Sequence, residues 1–195
     1  MLAKDMFFEK IKLISLVLCF SQNLYAGSLY EKIFNYNEAL KNSSANFIQT
    51  SGNHTQEGVV FFGEERIKIN YTNPEKITII LSEKKGVYIN HELEESEFFI
   101  TKKSYIKIFF DIFHKKNRLK DMVIKETANQ IKISEKTHLD NTLLTVSLVY
   151  ENNPIKLRRL EIINDDEKTQ MGFFDHNKKN IFDKKFFSMI DPYLK

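Results

Sequence analysis

From Leu29 onward the chain switches between two hydrophobic periodicities, and the switches mark out its elements. Leu29, Ile33, Tyr36 and Leu40 recur at helical spacing, which gives a segment of about three turns one apolar stripe. Ser28, with Glu31 three positions later, reads as a capping box at the start of this helix, and Asn42-Ser43-Ser44 breaks it. The period then becomes two. Phe47 and Gln49 alternate with Ile48 and Thr50, and after a loop from Ser51 to Glu57 the run Val59 to Phe62 is rich in branched and aromatic residues. In Arg66-Ile67-Lys68-Ile69-Asn70-Tyr71, alternation sends Ile67, Ile69 and Tyr71 to one face and the polar residues to the other. Asn73-Pro74 ends that strand. Ile77 to Leu81, a turn from Ser82 to Gly86, and Val87 to Asn90 make a hairpin, and Glu97 to Thr101 makes a further strand.

A second helical stretch interrupts the strands. Ser104 can cap it, and Ile106, Phe109, Phe110 and Phe113 fall at i, i+3, i+4 and i+7, with Lys107, Asp111 and His114 facing elsewhere. Short strands then resume: Met122 to Glu126, Gln130 to Ser134, Leu143 to Tyr150, Ile155 to Ile163 and Thr169 to Asp175. Asn152-Asn153-Pro154 and Asn164-Asp165-Asp166 supply turns between them, and a last helical turn starts at Asp183 and includes Phe186 and Phe187. Most connections are too short for parallel crossovers. The expected fold is mainly β, of the α+β class: one large antiparallel sheet whose concave face is covered by helices.

The start of the chain has a different character. Lys4, Lys10 and Lys12 precede the apolar run Leu13 to Phe20, and a polar segment ends in Leu24-Tyr25-Ala26, which is the layout of a secretory signal peptide. Residues 1–26 are therefore expected to be removed near Ala26, or from Met6 if that is the true start, leaving 27–195 as a single exported domain. The apolar run falls well short of the roughly 20 residues that cross a bilayer. The only cysteine, Cys19, lies inside this leader behind Leu18, where a lipid-attachment site would want a small residue, so the exported part would carry neither disulfide nor lipid. A formal net charge of +3 over 195 residues is too balanced to argue for nucleic acid.

Signs of catalysis are missing from the sequence. It has no Gly-x-Ser-x-Gly elbow, no phosphate-binding glycine loop and no His-Glu-x-x-His pair, and His54, His91, His114, His138 and His176 are dispersed. His91-Glu92 and Asp175-His176 are adjacent pairs whose side chains point apart and cannot grip one ion. These features predict no enzyme, no cofactor and no metal. Glu94, Glu95 and Glu97, and the pairs Lys84-Lys85, Lys102-Lys103, Lys115-Lys116 and Lys178-Lys179, read as solvated loops, with lipid headgroups or an acidic partner as the alternative for the lysines.

The aromatic load is the unusual feature: seventeen phenylalanines and eight tyrosines, with no tryptophan. Phe61-Phe62, Phe98-Phe99, Phe109-Phe110, Phe173-Phe174 and Phe186-Phe187 occur as pairs. Neighbours on a strand point to opposite faces, so either both faces of the sheet are covered or some rings line a cavity. An ordinary aromatic core between sheet and helices would also account for them.

Between Asn46 and Asp111 lie Phe47 and Gln49, Gly58 before Val59 to Phe62, Lys68, Tyr71 and Pro74 in an Arg-x-x-Tyr-x-x-Pro-like pattern, and the hairpin around Gly86 to Asn90. In these residues and their order the chain resembles the LolA family of outer-membrane lipoprotein carriers. Pro154-Ile155-Lys156-Leu157, Asn164-Asp165-Asp166 and the ending Asp183 to Pro192 follow in the family's order. Gly63-Glu64-Glu65 stands where the family usually has Arg-Pro-Gly, and Lys68 where a second arginine is common.

The resemblance implies an open antiparallel half-barrel with a helical lid over an apolar concave face. It implies a monomeric periplasmic carrier that shelters the acyl chains of lipoproteins between an inner-membrane ABC-type releasing complex and an outer-membrane acceptor. On that expectation Phe47, Ile67, Ile69, Tyr71, Ile79 and Leu81 form the lipid-binding wall, Ile106, Phe109, Phe110 and Phe113 the lid, and Arg66 and Lys68 serve transfer. Two other readings stay open: a periplasmic binding or assembly module with the same sheet and a packed core, and the related outer-membrane lipoprotein acceptor.

Overall fold

The computed structural model describes residues 29–103, 106–139, 142–164, 167–178, 180–183 and 185–194. The leader, the capping serine Ser28 and the helix cap Ser104 lie outside them.

Helix α1, Leu29–Ala39, is followed by strands β1 (Ser43–Ser51), β2 (His54–Phe62), β3 (Ile67–Asn73), β4 (Ile77–Leu81), β5 (Gly86–Asn90) and β6 (Glu95–Phe99). Helix α2, Ile106–His114, then leads through a 3-10 stretch, Lys116–Asp121, into β7 (Val123–Glu126). Strands β8 (Gln130–Leu139), β9 (Thr142–Glu151), β10 (Lys156–Asn164) and β11 (Glu167–Lys178) complete a single sheet. Its order is β6-β5-β4-β3-β2-β1-β11-β10-β9-β8-β7, so the first and last strands meet in the middle. Every neighbouring pair is antiparallel, and β6 and β7 are left at opposite edges, so the barrel stays open.

This order dictates where the second helix goes. Consecutive strands pair with each other except β6 and β7, so the chain between them must travel from one edge of the sheet to the other. It does so across the concave side. Ile108, Phe109, Phe110, Ile112 and Phe113 of α2, with Leu119 and Met122 beyond it, are buried in the main core. The opposing sheet face contributes Ala45, Phe47, Val60, Phe62, Ile67, Ile69 and Leu81 from one half, and Ile131, Ile133, Val146, Leu148, Tyr150, Leu157, Met171 and Phe173 from the other. Helix α1 adds Ile33 and holds the far half: the Leu157 amide, at the β10 bulge, donates to the Tyr36 hydroxyl at 2.8 Å.

Several strand boundaries differ from those read in the sequence: β1 starts at Ser43, inside the expected break, and β11 extends from Glu167 to Lys178 beyond the expected Thr169 to Asp175. The loop expected from Ser51 to Glu57 is a tight turn around Gly52, whose φ of 53° suits glycine, and β2 starts at His54. Strand β8 runs on to Leu139 instead of stopping at Ser134, because β9 supplies a full ladder of backbone partners to a stretch with little apolar alternation. Strand β6 ends at Phe99, where its partner β5 begins at Gly86, and Thr101–Lys103 turns into a 3-10 segment.

The aromatic pairs resolve as a sheet requires. Phe62 points inward onto Phe113 with ring centroids 5.1 Å apart, while Phe61 points outward onto Phe182 and Phe186. The C-terminal segment covers this part of the convex face, with Met189 and Tyr193 packed against Ile80, Val87 and Ile89. Phe98 and Phe174 stay exposed, and their neighbours Phe99 and Phe173 turn inward.

Candidate functional site

Between the two halves of the sheet and α2 the packing is incomplete. A hollow of about 90 Å³ remains, lined by Ile69, Tyr71, Ile79 and Leu81 on one wall, and Val146, Leu160, Ile162, Thr169 and Met171 on the other. Ile106 and Phe109 of α2 form its roof, and Gln49 sits at its polar margin. Local patterns place each lining residue. Alternation along β3 and β4 brings Ile69 opposite Ile79 and Ile67 opposite Leu81, so their side chains stand together on the concave face. Helical spacing brings Phe109 against Phe113 with centroids 4.9 Å apart.

The hollow's few polar groups satisfy one another at its rim. The Tyr71 hydroxyl donates to Gln49 Oε1 at 2.9 Å, and Gln49 Nε2 donates to Gln56 at 3.1 Å. Tyr71 also meets Phe47 edge-on, with centroids 5.1 Å apart. The walls thus offer broad apolar contact with no charged anchor inside.

The roof is held from several sides. Asn37 of α1, 2% exposed, donates to the Ile112 carbonyl of α2 at 3.1 Å and accepts from the Tyr150 hydroxyl of β9 at 3.1 Å. Burial raises the Tyr150 phenol above its usual range, so it stays protonated as that donor. Lys115, just past α2, pairs with Glu83 in the β4–β5 turn at 2.7 Å and with Asp111 at 3.3 Å, and Lys107 also pairs with Asp111. Arg118 pairs with Glu135 of β8 and ties the return leg to the sheet. His114 stacks on Phe110 at 4.1 Å, and burial holds its imidazole below the ordinary range.

The expected wall and lid residues divide into two groups. Ile69, Tyr71, Ile79, Leu81, Ile106 and Phe109 line the hollow. Phe47, Ile67, Phe110 and Phe113 do not: Phe47 and Ile67 are packed solid beneath the wall at 1% and 0% exposure. Phe113 fills the space over Phe62, and Phe110, about 100° around the helix from Phe109, points with His114 into an outer concavity shared with Lys41, Glu64 and Lys84. The expected transfer residues lie away from the hollow. On the convex side Arg66 donates to the Phe187 carbonyl, and Lys68 donates to the Phe186 carbonyl at 3.2 Å while standing 4.2 Å from that ring's centroid. Both hold the C-terminal segment against the sheet.

Sequence reading missed the far wall. Val146, Leu160, Ile162 and Met171 carry the same inward alternation as Ile69 and Ile79, but nothing local says that their strands curl round to face β3 and β4. Among the described residues no group of three or more His, Cys, Asp or Glu is placed to hold a metal ion. Among them, too, no helix is long and apolar enough to cross a membrane.

Fold and hollow together define an open antiparallel half-barrel whose apolar interior is roofed by a helix strung between the two free edges. The sequence matches the family described as Outer membrane lipoprotein carrier protein LolA over residues 38–190. The chain belongs to that family.

Among solved structures, an uncharacterized conserved protein from Thermus thermophilus shares the fold at 7% identity, over 84% of this chain and 93% of that one, with a TM-score of 0.52. The Pseudomonas aeruginosa MucA/MucB complex gives 0.47 at 6% identity over 82% of this chain and 59% of that one. LprF from Mycobacterium bovis gives 0.34 at 13% identity over 75% and 91%. No curated protein matches the chain.

Proposed function

We propose that this protein is an exported, non-enzymatic carrier that shelters the acyl chains of lipoproteins and moves them from the inner to the outer membrane. The hollow between β3–β4, β9–β11 and α2 carries this reading: its lining is mainly apolar, and the helix that covers it belongs to the segment crossing between the sheet's two free edges. Each methylene left in water costs about 0.8 kcal/mol, so a multi-chain anchor faces a barrier on the order of tens of kcal/mol without such shelter.

At about 90 Å³ the hollow is smaller than the ~150 Å³ cavity that admits a single benzene ring. An acyl chain does not fit the hollow at that volume. Cargo must displace α2, and Phe109 and Ile106 exchange their contacts with Ile69, Tyr71 and Ile79 for contacts with hydrocarbon. Family membership supports an inner-membrane ABC-type releasing complex as donor and an outer-membrane acceptor as recipient. A role for Arg66 and Lys68 in transfer would act through the C-terminal segment they hold.

The same small volume favours a second reading, a binding module with a packed core that works through its surface. Capture separates the two. Phe109→Glu or Ile69→Glu, folded by circular dichroism, is expected to lose co-purification with native lipoproteins and displacement of a hydrophobic dye by fatty acid. Full capture by both variants would refute the carrier.

A further inference from the structure

The convex face of the sheet is covered unevenly. Over β2 to β5 the C-terminal segment lies on Phe61, Ile80, Val87 and Ile89. The outward positions of β7 to β11 stay open and carry a different chemistry. Register aligns Lys125, Lys132, Val149 and Arg159 in one row across four strands. Lys136, Thr145, Ile163 and Lys168 form a parallel row, and Ser134, Ser147 and Glu161 lie between the two. In these rows five cations share the face with one carboxylate.

That carboxylate is sunk beneath them. Glu161 is 3% exposed and is bonded by Lys132 at 2.7 Å, Arg159 at 2.8 Å and Lys168 at 3.1 Å, whose side chains are 31%, 39% and 44% exposed. Their stems bury Ser147 and Val149, while the heads reach water. Lys125 and Lys136 stand exposed at the flank, and Val123 and Leu143 add exposed apolar side chains at the rim of the same face. The surface shown outward is predominantly cationic; Asp121 and Glu135, the latter paired with Arg118, lie beside Lys125 and Lys136 at its margin together with the exposed apolar side chains.

The shape of the array selects the partner. A peptide added at the free edge of β7 would meet only the charges nearest that edge, whereas these spread in two dimensions across five strands, β7 to β11, spaced about 4.8 Å apart. Flexible lysine side chains suit a fluid surface whose anionic groups can move to meet each of them. We propose that the open basic face of β7 to β11, centred on Lys132, Arg159 and Lys168, docks the protein on an anionic phospholipid bilayer, leaving the hollow and α2 on the far, unobstructed side.

Co-sedimentation of the full-length protein with vesicles of phosphatidylcholine, alone or mixed with phosphatidylglycerol, tests this at low and high salt. The expected result is binding to the anionic vesicles only, lost as salt rises. Each lysine facing an anionic leaflet raises affinity roughly fivefold, so Lys125→Gln with Lys136→Gln should weaken binding roughly 25-fold with an unchanged melting temperature. Lys84→Gln with Lys85→Gln, on the β4–β5 turn, should leave binding as it was. Equal binding to both vesicle types, no response to the first pair, or an equal loss with the second pair would overturn the proposal. So would capture of an acidic protein by this face without vesicle binding.

Discussion

Gly58 shows how far one residue governs the wall. A Cβ there would lie 2.0 Å from the Asn70 carbonyl oxygen and 2.7 Å from the Phe47 ring, so only glycine lets β3 approach while Phe47 lies across it. Gly58→Ala is expected to cost about 3 kcal/mol in chemical denaturation, as overpacking does, and to loosen the Phe47–Tyr71 pair beside the hollow. Glu161 answers to pH instead. Burial opposes its charge, but hydrogen bonds from Lys132 and Lys168 and the field of Arg159 outweigh that and bring it down to about 2. Its folded value lies below the ordinary 4.5, so its contribution is complete above about pH 4.5 and disappears as pH falls toward 2. Glu161→Gln should lose about 2 kcal/mol at neutral pH, less than the full shift because its partner cations are screened by water, and flatten the stability profile between those limits. An unchanged acid profile in the variant would remove the charge cluster from the account of stability.

At the scale of elements, α2 and the C-terminal segment are the two pieces whose attachment decides behaviour. Asn37 joins α1, α2 and β9 through two buried hydrogen bonds, and Asn37→Leu strands both the Ile112 carbonyl and the Tyr150 hydroxyl. A loss of about 2 kcal/mol is expected, with amide exchange over 106–114 accelerating more than in β1 and β2. Uniform acceleration would mean that Asn37 supports the core without latching the helix. The Lys115–Glu83 salt bridge contributes less, since both of its side chains are largely solvated. On the convex side, Arg66→Ala with Lys68→Ala removes both ties to the Phe186 and Phe187 carbonyls and the ammonium over the Phe186 ring. The double variant should destabilise by about 2 kcal/mol. Lipoprotein capture that survives this loss while handover to the acceptor fails would assign the pair to transfer, and handover at the wild-type rate would leave them a structural role.

For the whole molecule, the strand order couples the sheet's opening to the helix. The segment from Ile100 to Met122 joins the two free edges, so α2 cannot leave the hollow without the crossing legs moving with it. A lipopeptide bound inside should therefore stabilise the folded chain while freeing the roof. At 100 times its Kd the gain is about 2.7 kcal/mol, read as a higher melting temperature, with faster exchange in 106–114 than in the empty protein. Stabilisation with slower exchange in α2 would show that cargo binds beneath a closed helix.

Much of this was legible along the chain. Both helices, the strand positions, the inward set Ile69, Tyr71, Ile79 and Leu81, and the greasy stripe of α2 follow from periods of two and 3.6, which are local properties of the backbone. The ends of β2, β6 and β8 were not, because a strand stops where its partner stops. Phe110 and Phe47 were assigned to the hollow because apolarity does not tell a lining residue from one packed behind it.

The sequence by itself determined which residues are apolar, which face of each element they share, and that one helix would interrupt an antiparallel sheet. Tertiary structure alone decided that β1 pairs with β11, that Val146, Leu160, Ile162 and Met171 confront the β3–β4 wall, and that the C-terminal segment lies over β2 to β5 and not over the basic outward positions of β7 to β11. The physical reason is range: alternation is fixed by neighbouring residues, whereas the meeting of two apolar faces depends on pairings between segments far apart in the chain.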